Sequence, residues 1–198
     1  MKFLGFLGLL TILFFSFSFK ATNNVKTIVI DAGHGGNDLG ANHDGINESE
    51  IVKNIAEKIS QLSNQNDIKI ILLRNTDEFI SLDSRVEKVN EIKPDLMLSL
   101  HVNASTNHEQ NGVDALISKN NRFYEDSKDF ALKLIDQISN SDLENGKVID
   151  VNTKLLKESN CPSVTLELGF LSNEKNRAYI SSENGQTEVA TRILAALK

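Results

Sequence analysis

The sequence has 198 residues, which suits one domain of ordinary size with its own hydrophobic core. Its 40% hydrophobic and 24% charged residues exclude an intrinsically disordered chain. Without residues 1–21 the net charge is −8, so we expect no nucleic-acid partner and no long-range attraction to anionic lipid.

The first 21 residues differ from the rest of the chain. They read MKFLGFLGLLTILFFSFSFKA, with Lys2 before an apolar run from Phe3 to Phe19 and no acidic residue. This pattern is typical of an export signal, and an uncleaved membrane anchor is the alternative. We therefore expect an exported protein of the periplasm or cell envelope, which touches the membrane only if the leader is retained. The folded domain is predicted over residues 25–198.

The remaining chain alternates predicted strands and helices. Continuous apolar runs predict buried strands, and apolar residues at spacings of three and four predict helices. This order predicts a single α/β domain, with a twisted, mostly parallel or mixed sheet of about five to six strands and helices on both faces. The predicted strands are 27–31, 68–73, 95–104, 112–118 and 163–170; the predicted helices are 48–62, 81–93, 126–139 and 187–198, with a polar, loop-rich stretch at 140–160.

The first strand leads into a glycine-rich segment, TIVIDAGHGGNDLG at 27–40. Gly35 and Gly40 have the spacing of a phosphate-binding Walker loop, but the next two residues are alanine and asparagine, so the lysine and hydroxyl are missing. Gly33 and Gly35 begin a dinucleotide fingerprint, but its third position is Asp38, which would repel a pyrophosphate. Both nucleotide interpretations are excluded.

Two histidines favour a metal site instead. His34 follows the first strand and His101 lies at the end of the third, and the carboxyl ends of strands are where sites assemble in α/β sheets. A catalytic zinc generally takes three protein ligands and leaves a fourth position open. Glu48, at the start of the first helix, is the preferred third ligand because the helix start holds it rigidly. His43, in the preceding loop, is the competing candidate.

Glu167 is an acidic residue in an otherwise apolar strand, VTLELGF. Burial of an unpaired carboxylate is costly, so this residue needs either an ion-pair partner or a catalytic purpose. A zinc hydrolase needs a general base on a separate element, and Glu167 suits that role. A structural ion pair is the alternative. The single cysteine, Cys161, cannot form an intramolecular disulfide and is predicted to fill the core rather than act as a nucleophile.

Four short segments together resemble the zinc-dependent N-acetylmuramoyl-L-alanine amidases of the amidase type 3 family. They are IVIDAGHGGNDLGA, GINESEIV, SLHVNAS and CPSVTLELGFLSN, and the resemblance runs from about Thr27 to the C-terminus. It implies that His34, Glu48 and His101 bind Zn²⁺ and that Glu167 is catalytic. Glu50, two residues further along, is a disfavoured substitute for Glu48. Ala32 stands where the family more often has proline.

The resemblance implies hydrolysis of the amide between N-acetylmuramic acid and L-alanine in peptidoglycan, during cell-wall remodelling or daughter-cell separation. Some relatives carry an extra helix that blocks the site until an activator protein binds. The segment 119–127 leaves little room for such a helix, so we expect an open site, and the resemblance implies no particular activator protein. Two alternatives are another zinc amide hydrolase or peptidase of peptidoglycan, and a non-catalytic wall-binding module.

Overall fold

The computed structural model describes residues 25–63 and 68–197. The predicted leader at residues 1–21 lies outside this part of the chain. Within it, no helix combines the length and the apolar character needed to span a bilayer.

A six-stranded mixed sheet forms the centre of the described fold. Its strand order is β4-β1-β5-β8-β6-β7, and only the β6–β8 pair is antiparallel. The main strands are almost continuously buried, which explains their uninterrupted apolar sequences. The six strands are β1 (Lys26–Ala32), β4 (Ile68–Leu72), β5 (Leu96–Asn103), β6 (Val113–Ile117), β7 (Asn145–Asp150) and β8 (Ser163–Phe170); a separate short hairpin pairs β2 (Asn42–His43) with β3 (Ile46–Asn47).

Residues 25–63 and 68–197 also form six helices, which cover both faces of the sheet. Three of them pack on one large apolar core, namely α1 (Glu48–Leu62), α3 (Tyr124–Ile138) and α6 (Glu183–Leu197), and α6 contacts both of the others. The opposite face carries a smaller apolar cluster under α2 (Leu82–Ile92) and α4 (Lys154–Glu158), while α5 (Glu174–Ser181) packs on α6 and β8. The predicted single α/β domain with a mixed sheet covered on both faces is confirmed.

The structure differs from the sequence prediction in its polar segments. The stretch 140–160, predicted to be loop-rich, contains β7 and α4, and the helix α5 was not predicted. β7 is an exposed edge strand with a polar sequence, NGKVID, so it lacks the apolar run that marked the other strands. In addition, α6 begins at Glu183, four residues before the predicted start.

Parallel pairing aligns the ends of three central strands. Asp31 of β1 lies opposite Ser99 of β5, and two residues further along His101 of β5 lies opposite Glu167 of β8. Side chains alternate along a strand, so these residues share one face of the sheet with Val29 and Met97, which lie under α2 and α4. The residues selected from the sequence therefore meet at one edge of that face.

Candidate metal centre

Three of the predicted site residues converge at the carboxyl edge of the sheet. One nitrogen of His34, one nitrogen of His101 and one carboxylate oxygen of Glu48 all lie within 4.8 Å of one another. Glu48 Oε1 is 3.1 Å from His34 Nε2 and 2.9 Å from His101 Nδ1. This set of two imidazoles and one carboxylate is the kind that holds zinc and related divalent metals.

The backbone positions Glu48 as the sequence prediction required. Glu48 is the first residue of α1 and is buried. Its Oε1 accepts a hydrogen bond from the backbone N–H of Val102, and its Oε2 accepts one from that of Ala41. The carboxylate is thus fixed toward the two histidines rather than toward solvent.

The two alternative ligands lie elsewhere. Glu50 is exposed on α1. His43 lies in β2 with its Nδ1 3.0 Å from Asp44 Oδ2 but without hydrogen-bond geometry, and its ring stands 6.1 Å from that of His108. Of the three candidates for the third ligand, the structure brings Glu48 to His34 and His101.

A buried arginine holds the backbone around His34. His34 has a φ of 58°, a left-handed conformation that is uncommon for residues other than glycine. Arg85 donates hydrogen bonds to the carbonyl oxygens of Ala32 and His34 and forms a buried ion pair with Asp31. Asp31 in turn accepts a hydrogen bond from Ser99. This network stabilises the strained turn that presents His34.

A second buried arginine supports the same segment. Arg74 donates to the carbonyl oxygens of Ala32, Gly33 and Ser49, so it ties the glycine-rich turn to the first turn of α1. The sequence analysis missed these supporting residues, since nothing local in the sequence shows which carbonyl oxygens an arginine reaches. Asp31 could have been selected from the sequence, because it is an acidic residue at the end of the otherwise apolar, buried run TIVID.

The glycines make room for particular partners. A Cβ atom on Gly33 would lie 2.4 Å from the ring of His101, and one on Gly40 would lie 2.5 Å from Glu48 Oε2. Gly35 and Gly36 instead pack against the backbone of Glu78 and Phe79. The glycine-rich turn thus accommodates all three members of the cluster and the adjoining loop, not His34 alone.

Asp38, used in the sequence analysis only to exclude a nucleotide, contacts His34. Its Oδ2 accepts a hydrogen bond from His34 Nδ1 at 2.9 Å, which leaves Nε2 directed at Glu48. A carboxylate behind a ligating histidine fixes the orientation and tautomer of the ring and raises its basicity. Asp38 is therefore the supporting partner of His34.

The pKa values of His34 and Glu48 depend on the contacts between the members of the cluster. The hydrogen bond to Glu48, together with the charge of Glu48 and the contact with Asp38, raises the pKa of His34 to about 9 against the opposing effect of burial. Burial alone would raise the pKa of Glu48, but hydrogen bonds from His101 and His34 outweigh it and hold that pKa well below its usual range. In the metal-free cluster His34 is an imidazolium at neutral pH, and a metal ion would have to replace one of its protons.

Metal affinity is therefore expected to depend on pH. Below a His34 pKa of about 9, each unit of falling pH should weaken metal binding by about tenfold, because the proton competes for Nε2. Calorimetric titration with Zn²⁺ in buffers of different ionisation enthalpy should show release of about one proton per metal ion at neutral pH. An affinity that is unchanged from about pH 7 to 8.5 would contradict this assignment of the proton.

Replacing Asp38 with asparagine is expected to weaken metal binding by about 10–100-fold, the usual cost of losing such a supporting partner. Asparagine keeps an oxygen for the N–H of Gly40 but removes the carboxylate from His34. Competition with a chromogenic chelator measures the affinity. Asp77→Asn is the matched control, because Asp77 accepts from the N–H of Gly36 and lies outside the cluster. Equal affinities in both variants would refute this role of Asp38.

Glu167 faces the same cleft as the histidines. A cleft of about 480 Å³ is lined by His34, His101 and Glu167, among other residues. Burial raises the pKa of Glu167; His101 opposes that rise and the nearby carboxylate of Glu48 adds to it. Glu167 has no salt-bridge partner in the described part of the chain, so the alternative of a structural ion pair finds no support.

Cys161 is buried in the apolar cluster under α2 and α4, as predicted.

Comparison with known proteins places the whole described domain in one family. The family model Amidase_3, N-acetylmuramoyl-L-alanine amidase, matches residues 28–198. The chain is 32% identical over 176 residues to the N-acetylmuramoyl-L-alanine amidase LytC of Bacillus subtilis, a match that covers 82% of this chain and 34% of LytC.

Solved structures agree with this match. The N-acetylmuramoyl-L-alanine amidase of Clostridium difficile 630 superposes with a TM-score of 0.81 at 30% identity and covers 88% of this chain and 95% of its own. The CwlD amidase of Clostridioides difficile, solved in complex with the GerS lipoprotein, superposes with a TM-score of 0.76 at 28% identity, over 87% of this chain and 96% of its own. The chain therefore belongs to the Amidase_3 family and is an N-acetylmuramoyl-L-alanine amidase.

Proposed function

We propose that the enzyme is a zinc-dependent peptidoglycan hydrolase, in which His34, Glu48 and His101 hold Zn²⁺ and Glu167 is the general base. The observation that carries this proposal is the convergence of the three donors beside Glu167 in one cleft. The bond to be cleaved is the amide between the lactyl group of N-acetylmuramic acid and L-alanine. When bound, zinc supplies Lewis-acid chemistry, which polarises a carbonyl group and makes a water molecule more acidic.

Glu167 moves the proton in this reaction. Its carboxylate would take a proton from the attacking water and then give it to the nitrogen of L-alanine, as the carbon–nitrogen bond breaks and the lactyl carbon keeps the hydroxyl. The raised pKa makes Glu167 a stronger base than an exposed glutamate. Its strand, which is buried between β5 and β6, keeps the carboxyl group in place beside His101.

The proposal is tested by digestion of purified sacculi with the purified chain and mass spectrometry of the soluble products. Intact stem peptides that begin with a free L-alanine amine, released only with Zn²⁺ present, are expected. Fragments cut within the stem would instead support a peptidoglycan peptidase, and binding to sacculi without any product would support a wall-binding module. The Glu167→Gln variant is the matched control for contaminating hydrolases.

We propose that the site needs no activator to uncover it. His34 and His101 keep about a quarter of their side-chain surface exposed, at 23% and 27%. The segment 119–127, considered for a blocking helix, holds a turn and the first residues of α3. Turnover by the purified chain without any partner protein supports an open site; strict dependence on an added envelope fraction contradicts it.

We further propose that residues 1–21 direct export to the periplasm or cell envelope, as cleaved signal or retained anchor, and that residues 25–198 are the catalytic domain. The leader composition supports this, and peptidoglycan lies outside the cytoplasm. N-terminal sequencing of the protein recovered from the envelope distinguishes cleavage near residue 21 from a retained leader. Recovery in the cytoplasm alone would contradict export.

A further inference from the structure

The catalytic cleft extends from the metal cluster along an apolar wall. Beyond His34 and Glu167 it is lined by Phe79, Leu82, Leu116 and Leu155. Its volume of about 480 Å³ lies within the range of small-molecule sites. This wall continues directly from the proposed catalytic groups. The part of a substrate that packs against it is therefore the part next to the scissile bond.

Two apolar side chains of this wall are unusually open to solvent. Phe79 is 55% exposed and Leu82 is 56% exposed. Single exposed apolar residues need no explanation, but two beside a catalytic cleft indicate a binding surface. We call this pair the Phe79–Leu82 ledge.

The ledge stands on a fixed segment. The backbone N–H of Phe79 packs on Gly36, where a Cβ atom would lie 2.8 Å from its nitrogen. Arg85 Nε donates to the carbonyl oxygen of Ile80, and the side chain of Ser81 caps the start of α2. The backbone that carries the aromatic ring is therefore held in a defined place, so little backbone ordering is needed when a ligand packs on the ring.

The charges around the ledge disfavour an anionic ligand. Among the described residues that line this cleft, Arg85 is the only lysine or arginine, and it is paired with Asp31. Asp38 and Glu167 add negative charge. An uncharged ligand face is therefore favoured next to the ledge.

A second cleft at the same edge of the sheet has a different character. Its volume is about 610 Å³, and its lining includes Lys175 and Arg177, which pair with Asp142 and Asp44, together with Glu109 and Glu174. Several of its residues directly follow β8, which carries Glu167, and one lies in β2, between His34 and Glu48. This second cleft is therefore polar and charged, whereas the wall beside the metal cluster is apolar.

The two halves of a muramoyl-peptide substrate differ in the same way. The lactyl carboxyl of the sugar is consumed in the scissile amide, so the muramoyl half is uncharged and offers C–H faces and an acetyl methyl group. The stem peptide carries free carboxylates. Building on the amidase activity, we propose that the Phe79–Leu82 ledge binds the N-acetylmuramoyl half, with the sugar packed on the ring of Phe79.

Binding in the turnover-deficient Glu167→Gln background tests this assignment. The probes are N-acetylmuramamide, the uncharged sugar with its lactyl amide, and N-lactoyl-L-alanyl-D-isoglutamate, the sugar-free peptide. Adding Phe79→Ala should weaken binding of the sugar probe by about tenfold in an NMR titration, from the loss of one aromatic packing surface. It should leave binding of the peptide probe unchanged.

Two further variants sharpen the test. Phe79→Trp should keep the affinity for the sugar, since it keeps an aromatic face. Leu132→Ala is the matched control, because Leu132 is 52% exposed on α3 and does not line the cleft. An unchanged sugar affinity in Phe79→Ala, or an equal or larger loss for the peptide probe, overturns the proposal. If the amidase function itself were wrong, the result would differ: neither probe would bind to the Glu167→Gln variant in which Phe79 is intact.

Discussion

Replacing Glu167 with glutamine is expected to lower the turnover number by about 10²–10⁴-fold, the usual contribution of a general acid–base group. Glutamine has nearly the same shape but cannot accept the proton of the attacking water. Release of dye from labelled sacculi measures the rate, and elemental analysis of the same sample measures metal content. Metal content should be unchanged, because Glu167 is not one of the three converging donors.

The neighbouring carboxylate gives the matched control for this experiment. Asp114 of β6 lies opposite Glu167 in the sheet, and it accepts a hydrogen bond from the backbone N–H of Lys147. Asp114→Asn keeps that acceptor and should keep most of the turnover. Full activity in Glu167→Gln, or an equal loss in both variants, would refute the assignment of Glu167 as the base.

Replacing His34 or His101 with alanine is expected to abolish both metal retention and hydrolysis of the wall. Each change removes one of three donors and leaves Glu48 without one of the two rings that contact it. The loss of affinity should exceed the about 10–100-fold cost of losing a supporting hydrogen bond. Zinc content after dialysis, measured by atomic absorption, tests this directly.

His43→Ala is the control, since His43 was the competing ligand candidate and lies outside the cluster. It should keep its zinc and its activity. Full zinc retention in both His34→Ala and His101→Ala would remove the basis for the ligand assignment. Retention in one of them alone would identify that histidine as dispensable.

Local sequence patterns were sufficient to predict the strands and helices that form the core. Strands such as β8 and helices such as α1 bury a continuous run or a regular stripe of apolar residues, and that periodicity is written in the sequence. β7 and α5 were missed because neither carries such a pattern: β7 is an exposed edge strand, and only Asn176 and Ile180 are buried in α5.

For the site, the sequence by itself determined the residue types and their places at strand ends and at a helix start. His34 and His101 could be selected because the carboxyl ends of strands are where sites assemble, and Glu167 because it is an acidic residue within an otherwise apolar strand. Glu48 was already preferred to His43 from the sequence, but the support of His34 by Asp38 and the buried pair of Arg85 with Asp31 were decided only by the tertiary structure. These contacts depend on the directions of side chains and on distances across the fold. Periodicity along the chain indicates which residues are buried, but it carries no information about side-chain directions or about distances across the fold.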